Sequence, residues 1–136
     1  MAERSAAANS FKISIAPWLS LRDAAQAVEF YKSAFGAVET FRLESDDGSV
    51  VARLSVNGAE FWHSGESPQH GNLSPESAGG SSVRMILTVA DPDAVFARAV
   101  KAGATPVHPV GEQHGWRVGR LKDPFGHDWE IGREMG

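Results

Sequence analysis

Residues 123–131, which read DPFGHDWEI, decide how this chain folds. The first four favour a tight turn, because Pro124 fixes φ at one central position and Gly126 accepts the positive φ of another. The residues that follow alternate in polarity, which predicts a strand over 127–131 with one apolar and one acidic face. The acidic face carries Asp128 and Glu130. A carboxylate in the middle of a strand is either solvated or directed into a cleft, and the rest of the chain indicates which.

Composition narrows the class of protein. The 136 residues fit a single domain, predicted over 11–136, and residues 1–10 read as a disordered leader without an apolar segment. A net charge of −4 argues against binding to nucleic acid or to an anionic membrane. The chain contains no cysteine, which excludes disulfides, thiol nucleophiles and thiolate metal sites. We therefore expect a soluble, cytoplasmic protein.

The first half of the chain reads as a strand, a helix and three further strands. Apolar residues alternate from 11 to 21, which predicts a strand interrupted at Pro17. Asp23 begins a helix whose apolar residues recur every three or four positions until Gly36 ends it. Turns that contain glycine then separate three predicted strands, near 38–43, 50–56 and 60–63.

The second half repeats the first. Residues 64–82, rich in serine, glycine and proline, form a linker, a lid or both. A strand follows at 83–89, then a helix that Asp91 and Pro92 begin. The last three strands are predicted near 105–110, 116–121 and 127–131.

The repeat is visible in the residues as well as in the pattern. At a spacing of 68 residues, Asp23 corresponds to Asp91 and Gly58 to Gly126. We therefore predict an α+β chain of two βαβββ modules, about 11–63 and 83–133. Neither module alone can bury both its helix stripe and its sheet face. Paired, they give a curved, mostly antiparallel sheet around a cleft, with the helices outside.

Three segments resemble a known superfamily. Residues 30–37, FYKSAFGA, and 98–104, RAVKAGA, are similar to the two helices of the vicinal-oxygen-chelate proteins, and 123–127 to their last turn. This superfamily includes glyoxalases, bleomycin-resistance proteins and extradiol dioxygenases. The PhnB-like, glyoxalase-related branch is the most similar, including the motif Gly115-Trp116-Arg117. The resemblance covers about residues 11–133 and implies the two-module fold, whereas one fold can host several unrelated functions.

The resemblance also implies where a metal would bind. Enzymes of the superfamily generally hold one divalent metal through His, Gln or Glu on the first and last strands of each module. These positions correspond here to Ala16, Trp62, Arg84 and Glu130. Only Glu130 offers a ligand atom, whereas a catalytic metal usually has three protein ligands, so we expect neither metal nor cofactor. The alternative, one divalent metal ion, needs a one-residue shift of strand register that makes His63 a ligand together with Glu130.

The same positions suggest a ligand-binding cleft. Arg84 and Glu130 form either a structural salt bridge or a clamp for a polar ligand. Trp62 and Trp116 are expected to line the cleft, and aromatic walls suit a planar or cationic organic molecule. Arg117, next to Trp116, completes the predicted ligand-binding set. The sequence assigns no catalytic residue.

Three functions stay open at this point. We favour a small-molecule binding or sequestration protein of the glyoxalase/bleomycin-resistance type, metal-free and with an aromatic-lined cleft. The alternative is a divalent-metal-dependent, glyoxalase-like lyase or isomerase, which the fold and Glu130 favour. The third is a scaffold whose firm property is dimerisation. The resemblance implies a homodimer with shared clefts, and residues 64–82 are long enough to allow the modules to be exchanged.

Overall fold

A computed structural model describes residues 11–136, so the predicted leader, residues 1–10, lies outside the described residues. In the first module β1 spans Trp18–Leu21, α1 Ala24–Phe35, β2 Val38–Glu44, β3 Val50–Val56 and β4 Ala59–Gly65. A 3₁₀ turn, Pro68–His70, and the short helix α2, Pro75–Ala78, form the connection. In the second module β5 spans Arg84–Thr88, α3 Pro92–Ala102, β6 Thr105–Gln113, β7 Trp116–Lys122 and β8 Asp128–Glu134.

Each module forms one four-stranded sheet, with the strand orders β1-β4-β3-β2 and β5-β8-β7-β6. The first and last strands of a module pair in parallel, and the other pairs are antiparallel. Trp18 lies opposite Trp62, and Ile86 opposite Glu130, so the strand register keeps the 68-residue repeat. The predicted α+β fold of two βαβββ modules with mostly antiparallel pairing is confirmed. The curved sheet consists of two separate four-stranded halves. β1 forms one edge of the first half, and β5 forms one edge of the second.

The helices begin and end where the sequence predicts. Asp23 and Asp91 act as N-caps, accepting hydrogen bonds from the backbone N–H groups of Gln26 and Ala94, each at 3.1 Å. Gly36 ends α1 with a φ of 69°, a left-handed conformation that side chains with a Cβ resist. None of the helices in residues 11–136 is long and apolar enough to cross a membrane.

The strand predicted from residue 11 begins only at Trp18, and this part of the prediction is wrong. Phe11, Ile13 and Ile15 alternate as in a strand, but they are 82%, 99% and 97% exposed and belong to no strand of the described chain. Alternation is a property of the local sequence, whereas a ladder also needs a neighbouring strand. The other predicted strands are present, with ends that differ by at most three residues. β4 reaches Gly65, so the connection between the modules begins two residues later than predicted.

The stretch 123–131 supplies Phe125, Trp129 and Ile131 to the core between the helices and the sheets. Asp123, 3% exposed, accepts hydrogen bonds from Tyr31 Oη at 2.5 Å and from Trp129 Nε1 at 2.9 Å. Because Tyr31 lies on α1 and Asp123 follows β7, this carboxylate joins the two modules. The helices pack against one face of each sheet and against each other. The other face of each sheet is left open.

Candidate functional site

The open face of the second sheet holds a cavity. Glu130 of β8 points to this face, and Ile86 of β5 and Arg120 of β7 lie directly opposite it in the ladders. Beside Glu130 lies a cavity of about 260 Å³ with a mainly apolar lining. The lining residues are Ile86, Thr88, Trp116, Val118, Glu130 and Gly132. Two residues of the predicted ligand-binding set, Trp116 and Glu130, therefore line the same cavity.

Glu130 of this cavity belongs to an ion pair. Arg84 Nη1 lies 3.3 Å from Glu130 Oε1, so the pair proposed from the sequence does form. The two side chains are 54% and 26% exposed. Pairs this exposed add only about 0–1 kcal/mol to stability. The pair therefore contributes little as a structural salt bridge, and both groups can be reached by a ligand.

A second carboxylate on the same face is largely buried. The Oδ1 atom of Asp128 accepts a hydrogen bond from Lys122 Nζ at 3.1 Å and lies 3.6 Å from Arg120 Nη2. The Asp128 side chain is only 7% exposed, so these two cations compensate its charge. Among the described residues, the buried Nε of Arg120 has no hydrogen-bond partner. Arg120 is thus the least satisfied cation of the group.

A second cavity, of about 510 Å³, adjoins the first and shares Val118 and Glu130 with it. Its lining includes Arg84, Arg120 and His108. The two cavities together form an apolar recess that continues into a charged region. This arrangement can hold an organic molecule whose polar end differs in character from its body.

The open face of the first sheet is aromatic. The rings of Trp18 and Trp62 stack with centroids 5.4 Å apart and planes 5° apart, and Phe41 lies 5.7 Å from Trp62. The guanidinium of Arg53 lies 5.3 Å from the centre of a Trp62 ring, and Trp18 Nε1 donates a hydrogen bond to Ser64 Oγ at 2.8 Å. Trp18 and Phe41 keep about half of their surface exposed. The side chains are thus fixed in place and still able to stack on a planar molecule.

The structure does not bring the whole predicted set together. Trp62 belongs to the first sheet and lines neither cavity of the second. Arg117 points to the helix side, where its Nε and Nη2 donate hydrogen bonds to Asp93, each at 2.7 Å. These bonds lower the pKa of Asp93 and raise that of Arg117. Because neighbouring strand residues face opposite sides, Arg117 cannot share the face of Trp116, and its predicted place in the cleft is wrong.

Sequence reasoning misses Trp18 and Arg120. The sequence contains a pattern that places each of these two residues on an open face. Trp18 is the repeat counterpart of Ile86, so it faces the same way as Trp62. Arg120 lies four residues after Trp116 on one strand, and an even spacing puts both on the same face.

The positions implied for a metal do not fit one. Glu130 is paired with the guanidinium of Arg84, which repels a dication. No group of three His, Asp or Glu residues in the described part of the chain is arranged to hold an ion. His63 is fully buried on the helix side of β4, opposite to the face of Trp62. The shifted register that would make His63 a ligand together with Glu130 is therefore wrong.

Known proteins resemble this chain over most of its length. A family model described as a glyoxalase-like domain matches residues 18–132. An uncharacterized protein of Mycobacterium bovis is 42% identical over 126 residues, which cover 89% of this chain and 83% of the relative. An uncharacterized protein of Arabidopsis thaliana is 35% identical over 112 residues, which cover 76% of this chain and 67% of the relative.

Solved structures share the fold. The X-ray structure of the Arabidopsis gene product has a TM-score of 0.69 at 29% identity and covers 90% of this chain and 100% of its own. The crystal structure of TioX from Micromonospora sp. ML1 has a TM-score of 0.69 at 25% identity, covering 89% of this chain and 95% of its own. Both likenesses span the two modules.

Proposed function

Because this chain belongs to the glyoxalase-like domain family, within the vicinal-oxygen-chelate superfamily, we propose that it binds a small organic molecule on the open faces of its sheets. The protein acts as a binding or sequestration protein and works without a divalent metal. The PhnB-like branch and the cytoplasmic location stay predictions.

One observation carries this proposal. Glu130 holds a position that the resemblance implies for a metal ligand, but its carboxylate faces Arg84 at 3.3 Å and borders an apolar cavity that Trp116 also lines. An arginine–carboxylate pair beside an aromatic and apolar recess recognises the polar and apolar parts of a ligand separately. The aromatic face around Trp18 and Trp62 adds a second surface for planar groups.

We expect Trp116→Ala to weaken the binding of planar ligands about tenfold, because an aromatic contact and its buried area are lost. Binding of a panel of planar compounds is first detected by quenching of tryptophan fluorescence. Affinities for wild type and variant are then compared by calorimetry, which does not depend on the reporter that the substitution removes.

Arg117→Gln is the matched control for this experiment. Arg117 follows Trp116 directly but pairs with Asp93 on the helix side, so its replacement should leave ligand affinity unchanged. Equal losses in the two variants, or unchanged binding in Trp116→Ala, would contradict the assignment of the cavity.

The alternative function is a metal-dependent, glyoxalase-like lyase or isomerase. The family and Glu130 favour it, whereas the residues around Glu130 do not. That alternative requires stoichiometric divalent metal in protein purified without a histidine tag. It also requires a metal-dependent activity that Glu130→Gln abolishes.

We further propose that the functional unit is a homodimer. Residues 11–17 directly precede β1 and form an arm in which Phe11, Ile13 and Ile15 are almost fully exposed. An arm of alternating apolar residues is suited to adding a strand to an exposed sheet edge, and β5 forms such an edge. The arm of one chain therefore pairs with a second copy.

The double variant Ile13→Asp/Ile15→Asp is expected to convert the dimer into single chains, because it places two charges on the apolar side of the arm. Light scattering coupled to size-exclusion chromatography measures this as a fall from about twice the chain mass of 14.6 kDa to that mass. Ser14→Asp, on the alternate side of the same arm, should leave the mass unchanged. A single-chain mass for the wild type would exclude the proposed dimer.

A further inference from the structure

We infer that the ligand of the second-module face is an organic anion, whose acidic group binds Arg84 and Arg120 and whose apolar body fills the cavity beside Trp116. This inference rests on the proposed small-molecule function and adds the chemical class of the ligand. A carboxylate or a phosphate ester has the chemistry that two guanidinium groups recognise.

The second-module face is neutral, although the protein is acidic. Its charged side chains in the described strands, apart from histidine, are three cations and three carboxylates: Arg84, Arg120, Lys122, Asp128, Glu130 and Glu134. These charges balance, whereas the whole chain has a formal net charge of −4. An anionic ligand is therefore repelled less at this face than by the acidic protein as a whole.

Arg120 is paired less completely than the other two cations of this face. Glu130 is compensated by Arg84 and Asp128 by Lys122, each within 3.3 Å. Arg120 contributes only a longer contact of 3.6 Å to Asp128, and its buried Nε lacks a partner in the described chain. The Arg120 side chain is 33% exposed, so its terminal nitrogens can donate hydrogen bonds to an anionic ligand.

The guanidinium groups of Arg84 and Arg120 also lie close to the apolar cavity. Arg120 lies directly opposite Glu130 across the β7–β8 ladder, and Arg84 reaches Glu130 from β5. Both guanidinium groups line the larger cavity, which shares Glu130 and Val118 with the apolar one. A ligand with its body beside Trp116 therefore has its end near both guanidinium groups.

The test uses 2-naphthoate and 2-naphthamide, which share one ring system and differ in charge, with affinities measured by calorimetry. Since a hydrogen bond to a charged group contributes about 1.5–3 kcal/mol, the wild type should bind the acid at least about tenfold more tightly than the amide. Arg120→Gln and Arg84→Gln should each remove most of this preference and leave amide binding within about twofold. Lys101→Gln, which removes an exposed cation from α3, should change neither affinity.

Glu130→Gln should change the affinity for the acid in the opposite direction. It removes a negative charge from between the two guanidinium groups and should strengthen binding of the acid about threefold, whereas a metal-dependent site would lose function. Equal affinity of the wild type for acid and amide overturns the inference and leaves the binding function intact. Binding of neither compound overturns both. Unchanged acid preference in both arginine variants excludes these residues as the anion site.

Discussion

Asp123→Ala is expected to lower the free energy of unfolding by about 3–5 kcal/mol, because it leaves several buried donors without an acceptor. The carboxylate accepts four hydrogen bonds, from Tyr31 Oη at 2.5 Å, Trp129 Nε1 and the Phe125 amide at 2.9 Å, and the His127 amide at 3.0 Å. Desolvation and the neighbouring carboxylate keep the pKa of Tyr31 well above its usual value, so its hydroxyl stays a donor. Urea unfolding followed by circular dichroism measures the loss.

Three further variants make this result specific. Tyr31→Phe removes one donor and should cost about 1 kcal/mol. Asp123→Asn keeps the shape but turns an amide N–H₂ toward donors, so it should lie between the two. Asp46→Ala, in an exposed turn, should stay within about 0.5 kcal/mol of the wild type. A loss below 1 kcal/mol for Asp123→Ala would show that the carboxylate does not hold the modules together.

The stability of the protein should fall between pH 6.5 and pH 4 through His63. Burial is the main cause that lowers the pKa of this imidazole from 6.5 to about 4, and the Arg42 charge lowers it further against the opposing effect of Glu39. The unfolded chain therefore takes up the proton first as the pH falls. The contribution of neutral His63 to the free energy of unfolding is fully present above pH 6.5 and is lost on acidification through about pH 4. At 1.36 kcal/mol per pKa unit, it amounts to about 3 kcal/mol.

His63→Phe isolates this contribution, since it keeps a ring and removes both nitrogen atoms, neither of which has a partner in the described chain. The difference in unfolding free energy between wild type and variant, measured at several pH values, should decrease steadily below pH 6.5. His63→Leu serves if the larger ring does not fit. A difference that stays constant with pH would mean that His63 is protonated to the same extent in both states.

Local patterns were sufficient to predict most of the fold. The Asp23 and Asp91 caps, the glycine turns and the alternation in residues 127–131 depend on neighbours in the chain, so they can be recognised from sequence. The spacing of 68 residues also predicted that both modules would use the same register. The arm at residues 11–17 shows the limit of such patterns, because alternation cannot supply the strand with which it would pair.

The candidate site was predicted only in part. One face of the sheet carries Trp116, Arg84 and Glu130, as the alternation of side chains along each predicted strand indicated. Arg117 was misplaced, although alternation along β7 was enough to exclude it. Arg120 becomes important only beside Glu130, a contact between strands that depends on the register of β7 against β8.

The sequence by itself determined the order of the elements, the repeat and the polarity of each strand face, because these follow from residues close together in the chain. Only the tertiary structure decided which residues and cavities each of those faces contacts. It placed Asp123 against Tyr31, 92 residues away, and set the aromatic face of one sheet apart from the charged face of the other. Contacts of this kind depend on how two modules pack, and packing is fixed by shape complementarity across the whole core rather than by any local pattern.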